Sequence, residues 1–235
     1  MRTRLIMTVL WLFSSPAYSQ PEPVLAFKGG FNAATLDEDN RENRYGFTGG
    51  LAGMLRWPLE GRFSLSGELD LLYTPRGADA VFGGMRLARS RQHYLDIMIA
   101  ARPVVRLDRV SGYLLLGGGL SLLMSASKEE LGVTVDITDD LRRVDVALLA
   151  GAGVAIHLPD RAPGSFRLGT VFLEARHDHG LIDSDAVNGG FKNRSSSLLL
   201  GLSLVLPHGD ETGRQVPSSA RRDPPTPASA AILIE

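Results

Sequence analysis

Two short stretches carry residue types that could do chemistry. "EARHDHG" places Glu174, Arg176, His177, Asp178 and His179 in close succession. A histidine beside an aspartate can form a general-base dyad, and the same donors can hold a metal ion. On an extended chain, however, neighbouring side chains point to opposite faces, so His177 and Asp178 do not converge. No serine motif accompanies them. The better-supported reading is structural: Glu174 and Arg176 share one face and join other charges there, while His177 lies on the opposite face. "DITDDLRR" gathers Asp136, Asp139 and Asp140. Calcium favours such oxygens, but the spacing of an EF-hand loop is missing, and a solvated loop is expected. No catalytic residue, cofactor site or metal site is assigned.

Composition narrows the class further. The 235 residues carry a formal net charge of −1 and no cysteine. Disulfides, thiolate metal sites, cysteine nucleophiles and a lipoprotein acyl anchor are thereby excluded. No basic stripe with interleaved aromatics appears, so nucleic acid is not an expected partner. The chain opens "MRTRLIMTVLWLFSSPAYSQ", with Arg2 and Arg4 ahead of a short apolar core from Leu5 to Phe13. Ala17 and Ser19 are small residues at the positions a signal peptidase reads. The core is too short to span a bilayer as a helix. Residues 1–19 are read as a cleaved export signal; a short anchor helix is the competing reading.

The elements that must position these residues are strands. Apolar residues recur with period two in segment after segment. In "RFSLSGELDLLYT", Phe63, Leu65, Leu69, Leu71 and Tyr73 alternate with Ser64, Ser66, Glu68, Asp70 and Thr74, and Leu72 breaks the pattern. Eight such segments fall at about 24–35, 44–57, 62–74, 91–106, 112–126, 142–157, 166–179 and 195–206. "SGYLLLGGGLSLLMSAS" belongs to the fifth. As a helix it would hold three glycines, each costing about 1 kcal/mol relative to alanine. As a phosphate loop it lacks the helix start and lysine that should follow. As a strand it puts Leu114, Leu116, Leu120, Leu122 and Met124 on one face. Tyr113, Gly117, Gly119 and Ser121 then lie on the other, where small residues leave room inside a narrow barrel.

Connections alternate between short turns (58–61, 107–110, 158–165) and mostly longer polar loops (36–43, 75–90, 127–141, 180–194). That asymmetry is typical of an outer-membrane β-barrel. If the apolar faces meet lipid, the opposite faces place ten charges in the lumen: Lys28, Arg56, Arg102, Arg143 and Arg176 against Glu68, Asp70, Asp96, Asp145 and Glu174. Balanced charge of this kind is tolerable in a closed lumen when paired. A secreted soluble barrel would also carry mixed charge on its polar face and remains the alternative. Tyr45, Trp57 and Tyr73 fall at strand ends on the apolar face, where interfacial aromatics belong. Pro103 lies within a strand of a barrel that has no free edge, which calls for a bulge.

The run from "AFKGGFNAATLDED" through "FSLSGELDLLYTPRGA", "YLDIMIAARPVVRL", "GYLLLGGGLSLLMSA", "DVALLAGAGVAIHL" and "LEARHDHGL" to "NRSSSLLLGLSLVL" resembles the PorT-type outer-membrane β-barrel proteins over residues 25–206. The resemblance rests on the order and spacing of strand patterns. It implies an all-β, eight-stranded antiparallel up-and-down transmembrane barrel in the outer membrane of a Gram-negative bacterium. It implies little chemistry; some members are tied to secretion or envelope assembly. Two departures stand out: the last strand lacks a terminal aromatic, and a Pro-, Ser- and Arg-rich tail follows.

The expected organisation is a signal at 1–19, a barrel at 20–208 and a disordered periplasmic tail at 209–235. Expected partners are the outer-membrane bilayer and, during biogenesis, the barrel-assembly and periplasmic chaperone machinery. The leading functional expectation is a non-enzymatic barrel acting in envelope structure, assembly or secretion support, or surface interaction. The alternatives are a barrel enzyme of protease or acyltransferase type, a small-solute channel, and a secreted soluble binding protein.

Overall fold

The structure, a computed structural model, describes residues 21–36, 41–82, 85–130, 132–159, 167–182 and 192–206. Its strands are β1 (Glu22–Leu36), β2 (Arg41–Pro58), β3 (Phe63–Arg76), β4 (Ala78–Phe82), β5 (Met85–Leu107), β6 (Val110–Glu130), β7 (Val133–Asp136), β8 (Val144–His157), β9 (Arg167–Gly180) and β10 (Asn193–Val205). Eight of them form a closed antiparallel circuit, β1-β2-β3-β5-β6-β8-β9-β10, which β10 completes by pairing with β1 from Val24–Val205 to Leu36–Asn193. The expected signal at 1–19 and tail at 209–235 lie outside the described residues.

β4 and β7 are rim strands that extend the wall beyond this circuit. β4 pairs with the ends of β2 and β5, and β7 pairs with the end of β6. Parts of the expected loops at 75–90 and 127–141 are therefore strand. The reason is local: once β5 continues past the barrel, cross-strand pairs such as Asp79 with Arg89, whose Nε donates at 3.2 Å, extend the ladder. At the opposite end, Asp108 and Arg109 join β5 to β6 in a two-residue turn between the paired Leu107 and Val110. Asp108 there adopts φ of 57°, a conformation aspartate tolerates.

Faces follow the pleat. Phe31, Phe47, Ile99, Leu116, Leu148 and Leu200 are exposed on the outside, whereas Ala147, Leu149 and Phe172 point inward and are buried. A soluble barrel would hide those outer side chains; a surface this apolar suits lipid and not water. Leu72, the exception in its segment, is a lumen residue and is buried. Inside, Val24, Met54, Met98, Tyr113, Leu115 and Phe172 belong to one packed cluster. A second cluster of Tyr94, Leu123, Ala126 and Leu141, with Ile137 against it, packs at the long-loop end.

Pro103 does not sit in a bulge. The β5–β6 ladder is interrupted at Arg102 and Pro103, between Ala101↔Leu116 and Val104↔Tyr113, and resumes in unchanged register. The register shift in this ladder falls instead at His93/Tyr94. The missing N–H thus removes pairing locally without adding a residue.

Candidate functional site

The lumen holds the chemistry-bearing residues, because every second strand residue must point into it. Near mid-height, Lys28 on β1 faces three carboxylates. Its Nζ pairs with Glu68 Oε1, lies 3.0 Å from Asp70 Oδ1 and donates at 3.1 Å to Glu174 Oε1. The ammonium donates to Glu68 and Glu174, while Asp70 adds negative charge at ion-pair distance without accepting a hydrogen bond from it. Arg102 Nη1 donates to Glu68 Oε2 at 2.8 Å, and its guanidinium lies 3.5 Å from the centre of the Tyr113 ring. Tyr113 closes the loop by donating its hydroxyl to Glu174 Oε2 at 3.1 Å.

Above this level Arg176 Nη1 donates to Asp70 Oδ2 at 2.9 Å, and its Nη2 lies 3.5 Å from Asp178 Oδ1. Arg76 Nη2 donates to Asp96 Oδ1 at 2.8 Å and to Ser121 Oγ at 3.1 Å, with the Tyr94 ring beneath its guanidinium at 4.7 Å. Asp145 accepts from Asn193 Nδ2 at 3.3 Å, and Asp178 accepts from Ser195 Oγ at 3.3 Å. Among the described residues, the buried cations are Lys28, Arg76, Arg102 and Arg176, and the buried carboxylates are Glu68, Asp70, Asp96, Asp145, Glu174 and Asp178. The acids outnumber the bases, and neutral donors from Tyr113, Asn193 and Ser195 serve the remainder.

One of the ten expected lumen charges lies elsewhere, and a second faces inward but stands apart from the central cluster. Arg143 is not in the lumen. β8 starts one residue later, at Val144, and Arg143 lies in the rim bend, exposed, with Nη2 donating to Asp139 Oδ1 at 2.6 Å. Arg56 is inward but half-buried at the short-turn mouth, 3.7 Å from Glu22 Oε2 and away from the central cluster. Conversely, Arg76, Asp178 and Tyr113 are central members that the expected set omits. The pleat already placed Tyr113 inward and could have found the other two. Arg76 continues the parity of Glu68, Asp70 and Thr74, and Asp178 that of Glu174 and Arg176.

Small residues make the space for these groups. A Cβ at Gly153 would overlap the Tyr113 ring, and one at Gly201 would overlap the Phe172 ring. Glycine is required at both positions for close approach.

Outside the lumen, His177 Nδ1 lies 3.0 Å from Ser196 Oγ on the exposed face of β9 and β10, and His93 Nδ1 lies 2.5 Å from Tyr73 Oη. On the rim, Asp136 accepts from Thr138 Oγ1 at 2.6 Å and from Thr138 N at 2.8 Å, which holds its carboxyl below the usual range. Asp136 and Asp139 are thus engaged by Thr138 and Arg143 respectively. Among the described residues no group of three or more His, Asp or Glu side chains could hold a metal ion.

Residues 19–186 match the family described as outer membrane protein beta-barrel domain. No curated protein matches the chain. Solved structures that resemble it include Ail, the attachment invasion locus protein of Yersinia pestis, at 18% identity over 77% of this chain and 99% of that one, with a TM-score of 0.39. Neisserial surface protein A is 15% identical over 78% of this chain and 97% of that one, with a TM-score of 0.43. The outer membrane enzyme PagL is 15% identical over 77% of this chain and 97% of that one, with a TM-score of 0.34. Likenesses of this size carry no argument about what the chain does.

Proposed function

The chain belongs to the outer membrane protein beta-barrel domain family and sits in the outer-membrane bilayer, and from that premise we propose that it acts as a plugged, non-enzymatic barrel. Its role is then in envelope structure, assembly or secretion support, or surface interaction, through its rim and loops. One observation carries this reading: the lumen is filled by ion-paired and aromatic side chains, Lys28, Arg102, Tyr113, Glu174 and Phe172, all buried. An eight-stranded barrel is just wide enough for side chains to fill. Within the family, the order of its strand segments supports a PorT-type placement. A signal at 1–19 and a periplasmic tail at 209–235 complete the proposed organisation, with barrel-assembly and chaperone machinery as biogenesis partners.

The test is planar-bilayer recording on the purified, folded protein. The expected result is the absence of a large, steady conductance; a stable open channel would transfer the assignment to solute transport.

A second reading has one observation in its favour. The His177–Ser196 pair borders a groove of about 690 Å³ on the outer face, together with Phe31, Tyr45 and Leu198. A serine–histidine pair facing lipid is the minimum for acyl-ester hydrolysis. Two features oppose it. Among the described residues no carboxylate orients the other nitrogen of His177. The backbone around Ser196 is engaged in ladders with both β1 and β9, which leaves no free pair of N–H groups for an oxyanion.

A further inference from the structure

The short-turn mouth of the barrel contains a cavity of about 200 Å³. Its wall carries Arg56, Arg62, Arg102, Arg106 and His157 against a single carboxylate, Glu22. Four guanidinium groups and one carboxylate leave three formal positive charges; Glu68 answers Arg102 from deeper in the lumen, so two remain. Arg56 meets Glu22 only at 3.7 Å, and Arg106 Nε donates to a backbone oxygen, that of Asp108, at 3.1 Å. Arg62 and Arg106 have no ion-pair partner among the described residues. Ser64, Ser66, Ser111 and Thr170 add hydroxyls to the same wall.

We propose that this cavity binds a doubly charged oxyanion of the phosphate class, supplied either as the free anion or as a lipid headgroup. Two uncompensated guanidinium groups match a dianion in charge, whereas a monocarboxylate would leave one unanswered. Their planar forks suit tetrahedral oxyanions, with which they form paired charge-assisted bonds. The concave, partly apolar wall concentrates the field of the arginines, which a flat surface would dissipate. The volume equals several waters at about 30 Å³ each, enough for one phosphate group with residual hydration. Phe63, exposed on the outer face, belongs to the same rim, so a headgroup at the bilayer interface lies within reach.

The experiment is calorimetric titration of the full folded protein, in maltoside micelles at fixed ionic strength, with inorganic phosphate. Saturable one-site binding is expected, weakened on the order of tenfold or more in the Arg56→Gln/Arg106→Gln variant, as loss of charge-assisted bonds implies. Arg143→Gln, at the opposite rim, should leave it unchanged. Absence of saturable binding overturns the proposal, and so does binding that survives the double substitution or falls equally in Arg143→Gln. Should the double variant not fold, Arg62→Gln takes its place, because Arg62 lies in a turn outside the strands; unaltered binding there also overturns the site. Phosphatidic acid, whose phosphomonoester headgroup can carry two charges like inorganic phosphate, is added to the micelles to separate the sources. If it abolishes the phosphate signal, the occupant is a headgroup; if the signal persists, the occupant is the free anion.

Discussion

Lys28 and Glu174 lie 146 positions apart in the chain and meet inside the barrel with Nζ 3.1 Å from Oε1. The same ammonium pairs with Glu68 from β3, so one cation ties two walls of the lumen together. Buried ion pairs are weak evidence for net stability, because desolvation offsets much of their attraction. Their strength shows when one member is removed.

Glu68→Gln leaves both Lys28 and Arg102 short of a charge. It should destabilise the barrel by about 3–5 kcal/mol. Arg102→Met alone should cost a comparable amount. The double variant should cost clearly less than the sum, since the two residues share a bond. Urea unfolding in lipid vesicles measures all three. Strict additivity would mean that the two side chains do not interact in the folded barrel.

The outer face is tested at β8. Leu148 is 55% exposed to lipid and Ala147 is buried in the lumen. Leu148→Arg should cost about 2–4 kcal/mol, the usual penalty for a cation near the bilayer midplane. Ala147→Ser should cost less, because one small hydroxyl in the lumen is a far smaller change than a cation in hydrocarbon. Equal losses at the two sites would reverse the assignment of faces.

Alternating faces were legible from period-two patterning alone, whereas the continuation of the expected loops at 75–90 and 127–141 into rim strands was not. Nor was the pairing inside the lumen. Which acid meets which base depends on shear, which no single strand encodes. Arg143 has the parity of Asp145 yet lies one residue before β8, so parity placed it in the lumen and the strand start took it out. Arg76 lies between Pro75 and Gly77, and a proline and a glycine so close together read as a loop. Pairing with β5, Arg76 opposite Gln92, keeps it in the strand.

Tyr113 requires the space above Gly153. Gly153→Val should therefore destabilise by about 1–3 kcal/mol through overpacking. Shortening the ring in the same molecule, with Tyr113→Leu, should recover part of the loss. Thermal unfolding followed by heat-modifiable gel migration reports both. A double variant no better than Gly153→Val would show that the clash lies elsewhere.

Arg102 stacks on the Tyr113 ring inside the lumen, and the two hold Glu68 and Glu174 respectively. Replacing both by alanine should turn a silent barrel into one with intermittent conductance in planar bilayers. A variant that folds and stays silent would locate the seal at the Tyr94–Leu141 cluster of the far mouth.

The pairing of β1 with β10 has a consequence for time as well as shape. The first strand to be delivered has as its neighbour the last, so no intermediate can satisfy both edges of β1 until the whole chain has arrived. Contacts between such distant segments form slowly, because loop-closure entropy opposes them before any ladder is gained. An unpaired edge meanwhile invites adhesion to other chains. The barrel is thus committed to a final, late zippering step, and a substitution along Val24–Leu36 or Asn193–Val205 should retard biogenesis more than its effect on the finished barrel would suggest.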